Sequence, residues 1–121
     1  MTTNKKEDTK VNANKPIGPD GRTYHLEICQ GDLAQNCLLV GSPERAELIA
    51  NTLFKDSRLV GNHRGLKSFT GNVDGLPMSV VTTGMGSAST AIVLPEVVCC
   101  GAKRLIRGGS CATLWPEPKP G

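Results

Sequence analysis

Aromatic side chains are scarce in this chain of 121 residues, at 3% of the total, and 38% of its residues are hydrophobic. No stretch is long and apolar enough to cross a membrane, and no apolar core follows the N-terminal lysines as a signal peptide requires. The sequence also lacks a basic stripe interleaved with aromatic residues. We therefore expect neither a membrane nor a nucleic acid as a partner.

The cysteines show neither a metal-binding nor a disulfide pattern. There are 5 of them, an odd number, and no two have the CxxC spacing of a zinc site. Three lie inside apolar runs, where a free thiol behaves as a small hydrophobic side chain. Free thiols are typical of a reducing compartment, so we expect the protein in the cytoplasm and no metal site.

The chain opens with a basic segment rich in Asn and Thr. Its first fifteen residues hold four lysines and two acids, and so supply +2 of the formal net charge of +3. A segment this polar cannot bury enough apolar surface to fold. We predict a disordered basic tail over residues 1–22 and a single domain over residues 23–121.

The first half of this domain begins with strand and helix patterns. A short strand is predicted at residues 24–28. Residues 36–40, with the sequence NCLLV, form a continuous apolar run, which is typical of a strand buried on both faces. Ser42 and Pro43 then suit the cap and the first position of a helix, which we predict over residues 43–54.

The second half adds a hairpin, a helix and a final strand. Asp74-Gly75 predicts a tight turn between strands at residues 68–73 and 78–82. A helix follows over residues 87–100, interrupted by Pro95, and then a strand at residues 103–107. The order indicates an α/β fold with a mixed twisted sheet flanked by helices. Because no helix would cover the last strand, we expect an incomplete fold, the first part of a larger one.

Two predicted strands end in a combination of glycine and arginine. In open α/β sheets, ligands bind beyond the carboxyl ends of the strands. Gly41 and Arg45 flank a helix N-terminus, where backbone N–H groups and the helix dipole favour an anion such as phosphate. Arg107 precedes two glycines and Ser110, and on a buried strand it would need a partner for its charge. The alternatives are an ordinary strand-to-helix turn and an arginine exposed at a sheet edge.

The segment Gly84–Ser89 is close to the dinucleotide fingerprint GxGxxG, but serine replaces the third glycine. The strand before it comes from a hairpin, and the next strand ends in Arg107 rather than in an acid, so a small anion fits better than a dinucleotide. We expect no cofactor. His25 and the pair His63-Arg64 are the other polar groups that could reach a ligand, although a lone histidine is more often structural. No Ser/His/Asp or Cys/His arrangement stands out, which favours anion binding without a protein nucleophile.

Five segments, in this order, resemble the N-terminal half of the nucleoside phosphorylase family, and most of all uridine phosphorylases. They are YHLEI, LLVGSPERAELIA, NHRGLKSFTG, VVTTGMGSAST and LIRGGSCATLWPEPKPG, and they span residues 24–121. The resemblance implies part of a three-layer α/β domain. It also implies phosphorolysis, in which phosphate attacks C1′ of a nucleoside and releases ribose 1-phosphate and the free base. Uridine is the expected substrate, and a purine nucleoside is the alternative.

The resemblance assigns the phosphate site to residues of this sequence. Gly41 and Arg45 correspond to the glycine and arginine of the family's first turn, and Arg107 and Ser110 to its second arginine and its hydroxyl. Arg107 and Ser110 are thereby the catalytic candidates. The implied ligands are inorganic phosphate and a nucleoside.

Other implied roles involve a second copy of the chain. Arg64 would reach the phosphate across a dimer interface, and His25 would reach the ribose of the neighbouring subunit. Gly84 would border the ribose and base. These roles imply a homo-oligomer built from dimers. Gly65 stands where relatives have a glutamate of a monovalent-cation site, so that site is not expected here.

A non-catalytic remnant that binds phosphate or a partner subunit is the rival interpretation. The later segments with which relatives hold the base and the ribose hydroxyls have no counterpart in the chain, and Pro95 and Gly65 depart from the family pattern. A dehydrogenase of the Rossmann type is a third interpretation, which would require NAD and which Arg107 disfavours.

Overall fold

The structure, a computed structural model, describes residues 15–117 and 119. Its helices and strands follow the chain as β1 (Asn36–Val40), α1 (Pro43–Leu53), β2 (Lys55–His63), β3 (Leu66–Val73), β4 (Leu76–Thr82), α2 (Gly86–Cys99) and β5 (Arg104–Arg107). The strands form one sheet in the order β2-β3-β4-β1-β5. The predicted α/β fold with a mixed sheet is confirmed.

Two tight turns build the antiparallel half of the sheet. β2 pairs with β3, and β3 with β4, in antiparallel fashion. Asp74 and Gly75 have φ angles of 49° and 79°, which is the left-handed pair that a two-residue hairpin turn requires. Arg64 and Gly65 repeat this geometry between β2 and β3, with φ angles of 53° and 74°. The hairpin at Asp74-Gly75 was predicted from the sequence, whereas the one at Arg64-Gly65 was not.

The parallel half of the sheet centres on β1, which pairs with β4 on one side and β5 on the other. Successive side chains of a strand point to opposite faces, and this alternation divides the core in two. Leu39 and Val81 pack on one face with Val93 and Val97 of α2. On the other face, a second cluster holds Val40, Ala46, Ala50, Phe69 and Val80, so that α1 covers that face. The sheet therefore lies between the two helices.

Helix α1 starts where the capping residues predict. Ser42 has an extended backbone, and its side-chain oxygen accepts a hydrogen bond from the N–H of Arg45, while Pro43 takes the first helical position. An N-cap serine of this kind stabilises a helix by about 1 kcal/mol relative to alanine. The helix ends at Leu53, one residue before the predicted end.

The predicted strand at residues 24–28 is wrong. Residues 24–26 form a turn, Glu27 has a φ angle of 52°, and antiparallel bridges join Ile17 to Thr23 and Arg22 to Cys29. The backbone N–H groups of His25 and Leu26 in this turn donate to the side chain of Glu96 in α2. These bonds replace those that a neighbouring strand would otherwise supply.

The prediction also missed β2. Its nine residues are polar or exposed over most of their length, and its register against β3 shifts twice, so the sequence carries no period-two pattern. Pro95, which was expected to interrupt α2, lies inside a continuous helix. It is on the exposed side of α2, where water can bond to the carbonyl that proline leaves without a partner.

Within the described residues, no helix has the length and hydropathy needed to span a bilayer. The first fourteen residues of the predicted tail lie outside the described residues. Residues 15–22 are described, and the N–H of Gly18 donates to the carbonyl of Arg22.

A stability test follows from the close approach of β2 to the segment before β1. A Cβ atom on Gly61 would lie 2.6 Å from Cγ2 of Ile28 and 2.8 Å from the carbonyl oxygen of Leu26. We expect Gly61→Ala to lower the free energy of unfolding by about 1–3 kcal/mol, because Ile28 is fully buried and cannot move aside. Urea unfolding followed by circular dichroism measures this.

Gly108→Ala is the matched control for that substitution. A Cβ on Gly108 would make an ordinary contact of 3.7 Å with Cδ1 of Leu38. Its unfolding free energy should stay within about 0.5 kcal/mol of the unsubstituted chain. Equal unfolding midpoints for the Gly61 and Gly108 variants would contradict the packing described for β2.

Candidate anion-binding site

The carboxyl ends of β4, β1 and β5 lie side by side at one edge of the sheet. Val40 pairs with Thr82, and Leu39 with Arg107. The ladder continues just past the strand ends, because the N–H of Thr83 donates to the carbonyl of Val40 at 2.8 Å and the N–H of Gly108 to that of Leu39 at 3.0 Å. The three segments that leave the strands are therefore held next to one another, in the position where open α/β sheets bind ligands.

Gly41, Gly84 and Arg107 meet at this edge. A Cβ on Gly41 would lie 3.5 Å from Nη2 of Arg107 and 3.7 Å from the carbonyl oxygen of Gly84. A Cβ on Gly109 would lie 3.0 Å from Nη1 of Arg107. The guanidinium group thus lies along backbone that is free of side chains, which leaves room for a ligand to approach it.

Gly84 is required by its own conformation and by a neighbour. Its φ angle is +75°, and a Cβ there would lie 2.5 Å from Oγ of Ser89. Ser89 in turn donates its hydroxyl to the carbonyl of Thr83. The link between β4 and α2 is thereby fixed in a tight turn, which only glycine adopts without strain.

Two helix N-termini point to the same edge. The first turn of α1 is capped by Ser42, whereas no side chain in the described part of the protein caps α2, whose first turn has no acidic residue. An open cavity of about 400 Å³ adjoins the start of α2 and is lined by Gly86, Ser87, Thr90, Ala91, Leu94 and Arg107. Uncapped N–H groups, the positive end of the helix dipole and a guanidinium group favour an anion at the end of this cavity that Gly86, Ser87 and Arg107 line.

Arg107 lies in a different environment from the one predicted from the sequence. A buried strand was expected there, but β5 is an edge strand and the side chain is exposed. Within residues 15–117 and 119, Arg107 has no carboxylate partner. Exposure removes the need for a permanent partner, and it leaves the guanidinium N–H groups free for a ligand.

Arg45 is close in sequence to Gly41, and Ser110 follows Gly109, but within the described residues neither side chain makes a hydrogen bond. Arg45 is exposed on the first turn of α1, and its backbone N–H donates to Oγ of Ser42 at 3.3 Å. Ser110 is exposed after Gly108 and Gly109. Their roles in phosphate binding stay predictions.

His25 and Arg64 form a second group, apart from the first. Nδ1 of His63 donates to the carbonyl of His25 at 2.9 Å, and Arg64 follows His63 in the turn between β2 and β3. β3 and β4 separate this turn from β1. Both residues were predicted to serve the site of a neighbouring subunit, which requires that they lie apart from the site of their own chain. That assignment stays a prediction.

Glu96 is the polar residue of this region that the sequence reasoning missed. It is fully buried in α2 and accepts hydrogen bonds from the backbone N–H groups of His25 and Leu26. One signal was present: Glu96 is the single charged residue between Gly84 and Ala102. A lone acid in an apolar helix must have buried partners, although the sequence does not say which.

The two buried thiols, Cys37 and Cys100, offer no nucleophile. Burial raises the pKa of Cys37 to about 12, and burial, followed by the neighbouring Cys99 and the acidic groups, raises the pKa of Cys100 to about 12. At neutral pH these groups stay protonated, and a thiol reacts as its thiolate.

The matches with known proteins fit this architecture. The model of the phosphorylase superfamily matches residues 36–121. A uridine phosphorylase of Thermococcus kodakarensis is 39% identical over 106 residues, which are 88% of this chain and 38% of that protein. The chain belongs to the phosphorylase superfamily, and its resemblance to nucleoside phosphorylases is confirmed. It spans well under half the length of this relative.

Solved structures agree with the fold. A purine nucleoside phosphorylase of Toxoplasma gondii, crystallised with immucillin-H, superposes with a TM-score of 0.73 at 30% identity, covering 81% of this chain and 39% of that one. A uridine phosphorylase of Vibrio fischeri superposes with a TM-score of 0.70 at 24% identity, covering 75% of this chain and 38% of that one. The second match supports the fold alone.

Thiol alkylation tests the burial of the cysteines. A pKa of about 12 leaves about one thiol in 10⁴ ionised at pH 8, so Cys37 and Cys100 should resist iodoacetamide in the folded protein. Cys111 is exposed and should be labelled first. Peptide mass spectrometry with and without urea gives the labelling at each site. If Cys37 were labelled as fast as Cys111 in the folded chain, the burial of Cys37 would be contradicted. The Cys111→Ser variant measures the labelling of the other cysteines without the reactive Cys111.

Proposed function

We propose that this chain carries the phosphate-binding part of a nucleoside phosphorylase, which transfers ribose from a nucleoside to inorganic phosphate. Uridine is the preferred substrate in this proposal. The products are ribose 1-phosphate and the free base. The free cysteines of the described residues suit a reducing compartment, so we assign the protein to the cytoplasm.

The observation that best supports this proposal is the environment of the Arg107 guanidinium group. Its guanidinium group lies against Gly41 and Gly109, lines the cavity at the start of α2, and has no acidic partner in the described part of the chain. Phosphate is tetrahedral, and arginine can bind two of its oxygens through two parallel N–H bonds. Uncapped helical N–H groups add donors on the other side of the ligand.

The proposed chemistry requires no nucleophilic side chain. Phosphate itself attacks C1′ of the ribose while the bond to the base breaks, and positive charge develops on the ribose. A phosphate held by Arg107, Arg45 and the hydroxyl of Ser110 would be oriented for this attack and would stabilise that charge. Positioning and electrostatic stabilisation of this kind supply most of the rate in comparable reactions.

A second copy of the chain completes the proposed site. Arg64 would add a charge to the phosphate of the neighbouring copy, and His25 would contact its ribose. Both lie on the β2 side of the sheet, away from Gly41 and Arg107. A homo-oligomer built from dimers would bring the two groups together.

A purine nucleoside is the alternative substrate. The Thermococcus relative, at 39% identity, favours uridine, while the Toxoplasma structure, at 30% identity, favours a purine nucleoside. Parallel assays with uridine and inosine, each with and without phosphate, separate the two. If the chain bound phosphate but cleaved neither nucleoside, the proposed anion site would be supported and the proposed activity would be contradicted.

Arg107→Ala tests the proposed site. We expect phosphate affinity to fall about tenfold to a hundredfold, because a hydrogen bond to a charged group contributes about 1.5–3 kcal/mol. Isothermal titration with inorganic phosphate measures the affinity, and phosphate-dependent release of base measures the activity.

Arg104→Ala is the matched control, since Arg104 is the same residue type at the other end of β5. Its Nε donates to Oδ1 of Asn36 at 2.6 Å, at the opposite edge of the sheet. Its phosphate affinity should stay within about twofold of the unsubstituted chain, as expected of a change remote from the site. Equal losses in both variants would indicate a general charge effect and would remove Arg107 from the site.

A further inference from the structure

Glu96 is a buried acid that the phosphate site does not use. Its side chain is 0% exposed, and it lies in the second half of α2, beside the core residue Val97. A buried carboxylate needs several hydrogen-bond donors to offset the loss of water. Among the described residues, the donors that reach it come from His25 and Leu26 of the turn at residues 24–26.

Both oxygens of the Glu96 carboxylate are occupied. Oε1 accepts the backbone N–H of His25 at 2.9 Å and lies 2.7 Å from Nδ1 of the same residue. Oε2 accepts the backbone N–H of Leu26 at 2.8 Å. Both oxygens already accept backbone N–H groups, which suits a group that only accepts hydrogen bonds, so we assign the proton shared with Oε1 to Nδ1 of His25.

The turn is also held from its other sides. Nδ1 of His63 donates to the carbonyl of His25 at 2.9 Å, and the N–H of Ile28 donates to Oγ1 of Thr23 at 3.2 Å. Glu27 is kept in the left-handed region, with a φ angle of 52°, a conformation that persists only where neighbouring bonds enforce it. The backbone that carries His25 is therefore fixed.

The imidazole ring of His25 is fixed but accessible. Its side chain is 39% exposed, whereas the carboxylate behind it is fully buried. Within residues 15–117 and 119, Nε2 of His25 has no hydrogen-bond partner. Nδ1 of the ring is thus bonded to the protein, and Nε2 is available to a ligand. In this arrangement the hydrogen bond at Nδ1 determines whether Nε2 carries a proton.

We infer that Glu96 is a positioning residue for His25. Its carboxylate holds the turn and keeps a proton on Nδ1, so that Nε2 is the nitrogen that His25 presents to a ribose hydroxyl. This role rests on the proposed function, in which His25 serves the ribose of a neighbouring copy. Glu96 is buried behind the ring, so it acts on a ligand through His25.

The protonation state of the His25 ring tests this inference without requiring activity. Nitrogen-15 chemical shifts and two-bond couplings to the ring protons identify the protonated nitrogen in the labelled 121-residue chain. We expect a proton on Nδ1 as the dominant form at about pH 8.5, because Oε1 of Glu96 accepts at that position. A dominant form with Nδ1 unprotonated would overturn the inference, whether or not any variant folds.

Glu96→Leu then tests the cause. Leucine is close to glutamate in size but has no acceptor, so Nδ1 of His25 loses its bond to Oε1, and we expect the protonated Nδ1 form to be lost as the dominant one. Glu27→Leu is the matched control, because Glu27 contacts His63 at 3.3 Å and does not bond to the His25 ring. It should keep the ring state of the unsubstituted chain.

A purely structural role for Glu96 predicts a different outcome. In that case Glu96→Leu would lower the urea midpoint and leave the ring state of the folded fraction unchanged, which would overturn the inference. Activity supplies a separate readout: Glu96→Leu should add no further loss of kcat/KM in a His25→Ala background. Absence of turnover by the unsubstituted chain would contradict the proposed function, while the ring measurements would still decide the role of Glu96.

Discussion

Parallel pairing of β1 with β4 and β5 is the constraint on which the rest of the molecule depends. It fixes which residues face each helix, because a shift of one residue would exchange Leu39 and Val40 between the two faces of the sheet. The same pairing sets Gly41, Gly84 and Arg107 side by side. The core and the candidate anion site are thus two consequences of one register.

The bonds of Glu96 make a second connection, between α2 and the segment that precedes β1. They run across about seventy residues of sequence and determine where His25 lies. His25 and Arg64 end up on the β2 side of the sheet, while Arg107 lies on the β5 side. A site divided in this way suits the proposed exchange of residues between copies. Each copy would supply the phosphate-binding residues of its own site and a ribose contact for the site of its neighbour.

The sequence predicted those features that depend on neighbouring residues. Ser42 and Pro43 indicated the start of α1, and Asp74-Gly75 indicated a hairpin, because capping and left-handed turns are local. β2 was missed since an exposed edge strand has no hydrophobic alternation, and the exposure of Arg107 was missed since strand order is not local. The partners of Glu96 could not be predicted, because a buried acid shows in the sequence only that partners must exist.

The account is tested most directly by titrating inorganic phosphate into nitrogen-15-labelled protein and following the backbone amide shifts. Sodium chloride at equal ionic strength corrects for screening of surface charge. We predict shifts concentrated at Gly41, at Gly84–Ser87 and at Gly108–Ser110, with little change at Asn36 and Arg104 on the opposite edge of the sheet. Shifts centred on that opposite edge, or none beyond those that sodium chloride causes, would contradict an anion site at the carboxyl ends of β4, β1 and β5.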